Sequence, residues 1–117
     1  MCRVFAYIGP EIPLESLLMK PENSLINQSL DPELHPHLQL AGWGFGIWSE
    51  HLVNPDAPLL YHRPKAAFYD DNVEGIVPSL QCSTLLSHVR ASGYDSSVVQ
   101  TDENCHPFSF DGTPWII

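Results

Sequence analysis

Basic residues are scarce in this 117-residue chain. Arg3, Lys20, Arg63, Lys65 and Arg90 stand against 14 acids, a formal charge of −9 at pH 7. So acidic a chain offers no electrostatic footprint for a nucleic-acid backbone or an anionic lipid surface, and both are excluded as expected partners. Long apolar runs are missing as well. None approaches the ~18–20 residues that span a bilayer, and the N-terminus lacks the basic stretch and apolar stretch of a secretory signal. The expected location is the cytoplasm. Cysteine is sparse and odd in number, at Cys2, Cys82 and Cys105, with no C-x-x-C spacing, so no disulfide framework is expected. The histidine pair His35 and His37 sits at strand spacing, but Pro36 separates the two and no third ligand is near. No metal site and no cofactor are expected. Internal repeats, low-complexity segments and linkers are absent.

What remains suits one folded domain. Apolar residues make up 44% and charged residues 16%, a balance that supports one core rather than disorder. Arg3 to Ile8 alternates as a strand, and Gly9-Pro10 is expected to end it. After Pro13, Leu14, Leu17 and Leu18 recur at helical spacing, predicting a short amphipathic helix up to Lys20-Pro21. Residues 24–30 predict another turn or two of helix, and the proline-broken stretch 31–37 a loop.

From Ala41 to Trp48 three glycines alternate with bulky residues. One face of such a strand carries no side chains. Either another backbone or a ligand comes close there, or the strand packs tightly against the first strand. The spacing is not the G-x-G-x-x-G of a dinucleotide site. A turn at 54–58 and a short strand at 59–62 follow, closed by Arg63-Pro64. Asp70-Asp71-Asn72 can cap a helix running to about Leu80, with Pro78 near its end. Residues 81–90 predict a buried strand with Cys82, Thr84, Leu86, His88 and Arg90 on one face. Residues 92–97 read as loop, and Pro114 to Ile117 as the beginning of another strand.

Three side chains could carry chemistry. Removal of the initiator Met, which the small side chain of Cys2 permits, would make Cys2 the first residue. It would then hold a thiol nucleophile beside its own α-amine, whose ordinary pKa of about 7.7–8.0 suits a general base at neutral pH. The strand from Arg3 to Ile8 would hold that terminus still. Arg90, at a strand end, suits a bidentate grip on a carboxylate or a structural ion pair with one of the many acids. His106 suits a loop-ordering or a substrate-binding role.

Five stretches resemble the class II glutamine amidotransferases, the N-terminal-nucleophile (Ntn) type, and in particular their small stand-alone bacterial branch. These are Met-Cys-Arg-Val-Phe-Ala-Tyr-Ile-Gly at 1–9, Pro-Glu-Asn-Ser-Leu-Ile-Asn-Gln-Ser at 21–29 and Gly-Trp-Gly-Phe-Gly at 42–46. Leu-Ser-His-Val-Arg-Ala-Ser at 86–92 and Asn-Cys-His-Pro-Phe at 104–108 complete the set, in family order. The resemblance implies an α+β fold, the four-layer αββα sandwich of Ntn hydrolases with two antiparallel sheets. Residues 1–117 would be the N-terminal part of a single type 2 domain, incomplete here.

It also implies hydrolysis of the glutamine side-chain amide to glutamate and ammonia. Cys2 would form the γ-glutamyl thioester, with its α-amine as base through a water. Arg90 would grip the substrate α-carboxylate, and His106 and Asn104 would line the glutamine pocket. Glutamine is the implied substrate, with an ammonia acceptor or synthase, and a second copy of the chain, among the partners it admits. The chain departs from the pattern at Ala41 and Trp43, where many members have an Asp nearby. It departs again at Gly93, where a Thr is common, and it ends ahead of the His-Asn-Gly that supplies the oxyanion hole. Two alternatives follow: hydrolysis of other γ-glutamyl amides or peptides, and an inactive interaction module.

Overall fold

The computed structural model describes residues 2–31, 38–91, 99–110 and 116. The His35–His37 pair, the 92–97 loop with Gly93, and most of the expected terminal strand lie outside them.

Four strands form one antiparallel sheet in the order β1-β4-β2-β3. They are β1 (Arg3–Pro13), β2 (Gly42–Trp48), β3 (Leu59–Arg63) and β4 (Gln81–Arg90). The class is α+β. The short helices α1 (Glu15–Leu18), α2 (Leu25–Leu30) and α3 (Val73–Ile76) interrupt the strand order. Gly9-Pro10 does not end the first strand. β1 runs on to Pro13, and the register against β4 shifts between Ile8 and Ile12. A proline lacks an N–H for the ladder, so it is tolerated on an edge strand at an irregularity of this kind.

The glycine strand does not lie against β1. It is sandwiched between β4 and β3. The helix expected over 70–80 breaks in two, with α3 giving way to a 3₁₀ turn at Val77–Ser79. Pro78 supplies no N–H, which stops the α-helical ladder there. Helix α2 starts as its sequence implies, with Ser24 accepting a hydrogen bond from the Asn27 N–H at 3.2 Å.

The period of two divides the sheet. Trp43, Phe45 and Ile47 of β2 join Leu85 and Val89 of β4 and meet Leu14, Leu18, Leu25, Ile26, Val73 and Val77 from the helices. Burying each such side chain is worth about 1.5–3 kcal/mol, so this helical side holds the core. Two polar devices fasten it. The Arg3 guanidinium donates to the Gln28 carbonyl and to Gln39 Oε1 (2.8 Å), clamping β1 to the end of α2. Asp70 accepts from Trp43 Nε1 (2.9 Å), the Tyr61 hydroxyl (2.6 Å) and the Asn72 N–H (3.1 Å), clamping β2 and β3 to the start of α3. Among the described residues no helix is long and apolar enough to cross a membrane.

Candidate functional site

The other face of the sheet is where the sequence-predicted residues meet. Strand register sets them in rows. Val4 of β1, His88 of β4 and Gly44 of β2 are level. One step further, Arg90 is level with Gly42, and the antiparallel pairing of Arg3 with Val89 brings Cys2 level with Arg90. Side chains directly opposite each other on one face stand about 5 Å apart at Cβ. Cys2 and Arg90 are therefore neighbours at the same end of the sheet.

The glycines of β2 admit a third component, the segment 105–107, directly onto this face. A Cβ on Gly42 would lie 2.6 Å from Cys105 Sγ, one on Gly44 would lie 2.3 Å from the His106 carbonyl oxygen, and one on Gly46 would lie 2.1 Å from Ile116 Cδ1. Of the two readings of the stripped face, close approach of another backbone is the one realised. Gly42 also has φ +156°, near the limit of what a residue with a side chain adopts. The loop is ordered before it arrives. The 3₁₀ turn Asp102–Asn104 closes on Thr101, Asn104 Nδ2 donates to the Val99 carbonyl (3.1 Å), and His62 Nδ1 meets the Asp102 carbonyl at 2.9 Å. The Asn104 side chain thus braces the turn that delivers Cys105 and His106, and it is exposed. The Cys105 N–H donates to the Asp102 carbonyl at 3.0 Å and its thiol points to the Thr101 carbonyl at 3.5 Å.

Among the three thiols only that of Cys2 is exposed. Burial, with the nearby Glu11 carboxylate, pushes the Cys82 thiol up to about 11. Burial also raises Cys105, against the opposing pull of the Arg90 guanidinium beside it. Both buried thiols are therefore protonated and inert near neutral pH.

Three buried side-chain nitrogens in the described residues have no hydrogen-bond partner: Arg90 Nη1, His88 Nδ1 and His106 Nδ1. All three belong to this one corner. No carboxylate of the described residues makes an ion pair with Arg90, so the structural ion pair allowed by the sequence is not formed. The His88 and His106 rings lie 4.7 Å apart at 48°. Burial, then the proximity of His106 and Arg90, lowers His88 to about 4, so its ring is uncharged at pH 7. Beside the rings an apolar cleft of about 230 Å³ opens between Val4, Leu86, His88, His106 and Pro107.

Native interiors leave few polar atoms unpaired, and a cluster of them marks a place prepared for a ligand. A larger cavity of about 620 Å³, between α2 and α3 on the helical side, is lined by Asp70, Asp71 and Glu74 but contains no nucleophile and no cation. The chemistry lies on the glycine side. No group of three or more His, Cys, Asp or Glu among the described residues could hold a metal ion. His88 is the member of the cluster that sequence reasoning passed over. Its signal was its place on the Arg90 face of β4.

No family model matches the chain. The chain is similar to the probable glutamine amidotransferase DUG3 of Saccharomyces cerevisiae, 33% identical over 116 residues, covering 94% of this chain and 32% of the relative. It is also similar to the gamma-glutamyl-hercynylcysteine sulfoxide hydrolase of Mycobacterium tuberculosis, 26% identical over 94 residues, covering 79% of this chain and 38% of the relative. The chain spans about a third of the length of the curated relatives it matches. An amidotransferase and a hydrolase among the relatives support a glutamine amidotransferase-like family and an enzyme rather than a passive module.

Proposed function

We propose that this chain carries the nucleophile side of an Ntn-type glutamine amidohydrolase, with the sheet as one of the two sheets of an αββα sandwich. The observation that carries the reading is the pairing of the exposed Cys2 thiol with the unpartnered, buried Nη1 of Arg90 at one end of one face. An amino acid amide needs a nucleophile at its amide end and a cation at its carboxylate end. The coverage of only one sheet face by helices, with Val4 and Ile8 exposed on the other, supports the layered architecture.

In this reading the initiator Met is removed, and the α-amine of Cys2 takes the thiol proton through a water. The sulfur attacks the side-chain amide carbon. As the tetrahedral adduct collapses, the C–N bond breaks, the ammonium proton returns to the leaving nitrogen, and ammonia departs. The thioester then adds water, deprotonated by the same amine, and releases glutamate and the free thiol. Arg90 holds the α-carboxylate with a forked pair of charge-assisted hydrogen bonds. His106 lines the pocket, and Asn104 keeps its loop in place. Glutamine is the substrate, and the site requires no cofactor.

The test is glutamate release from glutamine by the full-length protein, against its Cys2→Ala variant. Equal rates in the two would end this mechanism. One observation favours a second substrate class. Ammonia needs no apolar cleft, yet one lies beside Val4, two residues from Cys2. It would accommodate the amine side of a γ-glutamyl amide. A higher kcat/KM for a γ-glutamyl alkylamide than for glutamine would select that class.

A further inference from the structure

Of the three orphaned nitrogens in the site corner, those of Arg90 and His106 belong to residues with a role in the proposed reaction. That of His88 does not. His88 is 6% exposed and sits level with Val4 and Gly44, one row in from Cys2, Arg90 and Gly42. Its ring packs on His106 at 4.7 Å, and the other neighbour of His106 is Phe108, with ring centroids 4.4 Å apart. His106 is thus held between two rings. A phenyl or leucyl side chain would fill the His88 position without burying an unpaired nitrogen. An imidazole kept there unpaired points to a polar partner that arrives with a ligand. Resting on the reading of this corner as an amino-acid site, we propose that His88 is a positioning residue. It fixes the tilt of His106 by ring packing and takes up a hydrogen bond at Nδ1 when the ligand is bound.

The uncharged state of His88 fits that role. The groups that face it are Val4 from β1, Gly44 from β2, His106 from the loop and Arg90 from its own strand. No carboxylate is among them. His88 therefore does not compete with Arg90 for an anionic ligand, and the carboxylate end of the ligand is drawn to one cation.

The experiment uses the full-length protein and a diazoketone analogue of glutamine. The Cys2 sulfur bonds to the diazo-bearing carbon, that carbon takes up the thiol proton, and dinitrogen leaves. Saturation of the labelling rate separates affinity from the chemical step. In His88→Phe, which keeps the ring and loses the nitrogen, the half-saturating concentration is expected to rise about tenfold, the worth of one hydrogen bond. The limiting rate should change by less than about twofold. Unchanged affinity in that variant overturns the proposal. A second measurement covers a variant that does not fold. In the wild-type protein labelled with ¹⁵N at histidine, saturating L-glutamine should move the His88 Nδ1 resonance. A resonance that stays in place overturns the proposal equally. Failure of Cys2 itself to be labelled in the wild type is a different result, and sinks the underlying amidohydrolase reading.

Discussion

Gly44 and His106 meet backbone to backbone. A methyl group on Gly44 would lie 2.3 Å from the His106 carbonyl oxygen and 2.7 Å from that of Tyr61. Neither is the end of a flexible side chain, so Gly44→Ala must push the loop off the sheet. The expected loss of stability is about 1–3 kcal/mol, that of an overpacked site. The matching control is Gly75→Ala in α3, where a Cβ meets nothing within 4 Å and helix propensity predicts a gain of up to about 1 kcal/mol. Denaturant midpoints of the two variants should move in opposite directions.

Thiol reactivity should single out one cysteine. Cys2 is exposed while Cys82 and Cys105 are buried and raised in pKa. A brief pulse of a maleimide on the native protein should add one label, mapped by mass spectrometry to Cys2. In denaturant all three thiols should react. Native labelling of Cys105 would show that the 105–107 segment does not rest on β2 as described.

The Asp70 clamp predicts a stability profile with two slopes. Burial alone would raise the Asp70 carboxyl, but the hydrogen bonds from Tyr61, Asn72 and Trp43, with the Arg63 charge, outweigh it and lower it. The stabilisation from a lowered carboxyl is present above its unfolded value of about 3.9 and is lost as pH falls below that. Tyr61 is raised to about 12 by burial and by its hydrogen bond to Asp70. Its contribution is complete below about pH 10 and is lost as the pH climbs from 10 to 12. Asp70→Asn should cost about 1–3 kcal/mol at pH 7 and flatten the acid limb. Tyr61→Phe should flatten the alkaline limb. Thermal melts across pH test both.

Arg90→Gln removes the fork but keeps a polar side chain. If Arg90 grips the substrate carboxylate, KM for glutamine should rise about tenfold to a hundredfold, the range for a hydrogen bond to a charged group. Fold stability should not fall, because no described carboxylate pairs with Arg90. A drop in melting temperature with unchanged KM would assign the guanidinium to the scaffold instead.

The sequence was most legible where one rule governed a stretch. Alternation over 81–90 placed Arg90 and His88 on one face, and the structure keeps that register. The missing side chains at Gly42, Gly44 and Gly46 announced a close approach, and the 105–107 segment makes it. Local signals misled where tertiary pairing overruled them. Gly9-Pro10 reads as a stop, yet pairing of Ile12 with Cys82 carries β1 past it. The partner of the glycine strand was not legible either, since antiparallel neighbours are chosen by the whole sheet. Nor was the part played by Arg3, whose bonds to Gln28 and Gln39 span 25 and 36 residues. His88 needed coordinates, because an orphaned nitrogen is a property of surroundings rather than of residue type.

Along the end of β4 consecutive residues answer to different halves of the molecule. Ser87 and Val89 belong with the helical core, while His88 and Arg90 belong with the glycine side. Neighbouring codons are therefore under unlike selection. A saturation scan read in parallel for abundance and for turnover should separate into two interleaved combs. One set of teeth, at Ser87 and Val89, would lower the amount of protein in the cell. The other, at His88 and Arg90, would leave the amount and silence it.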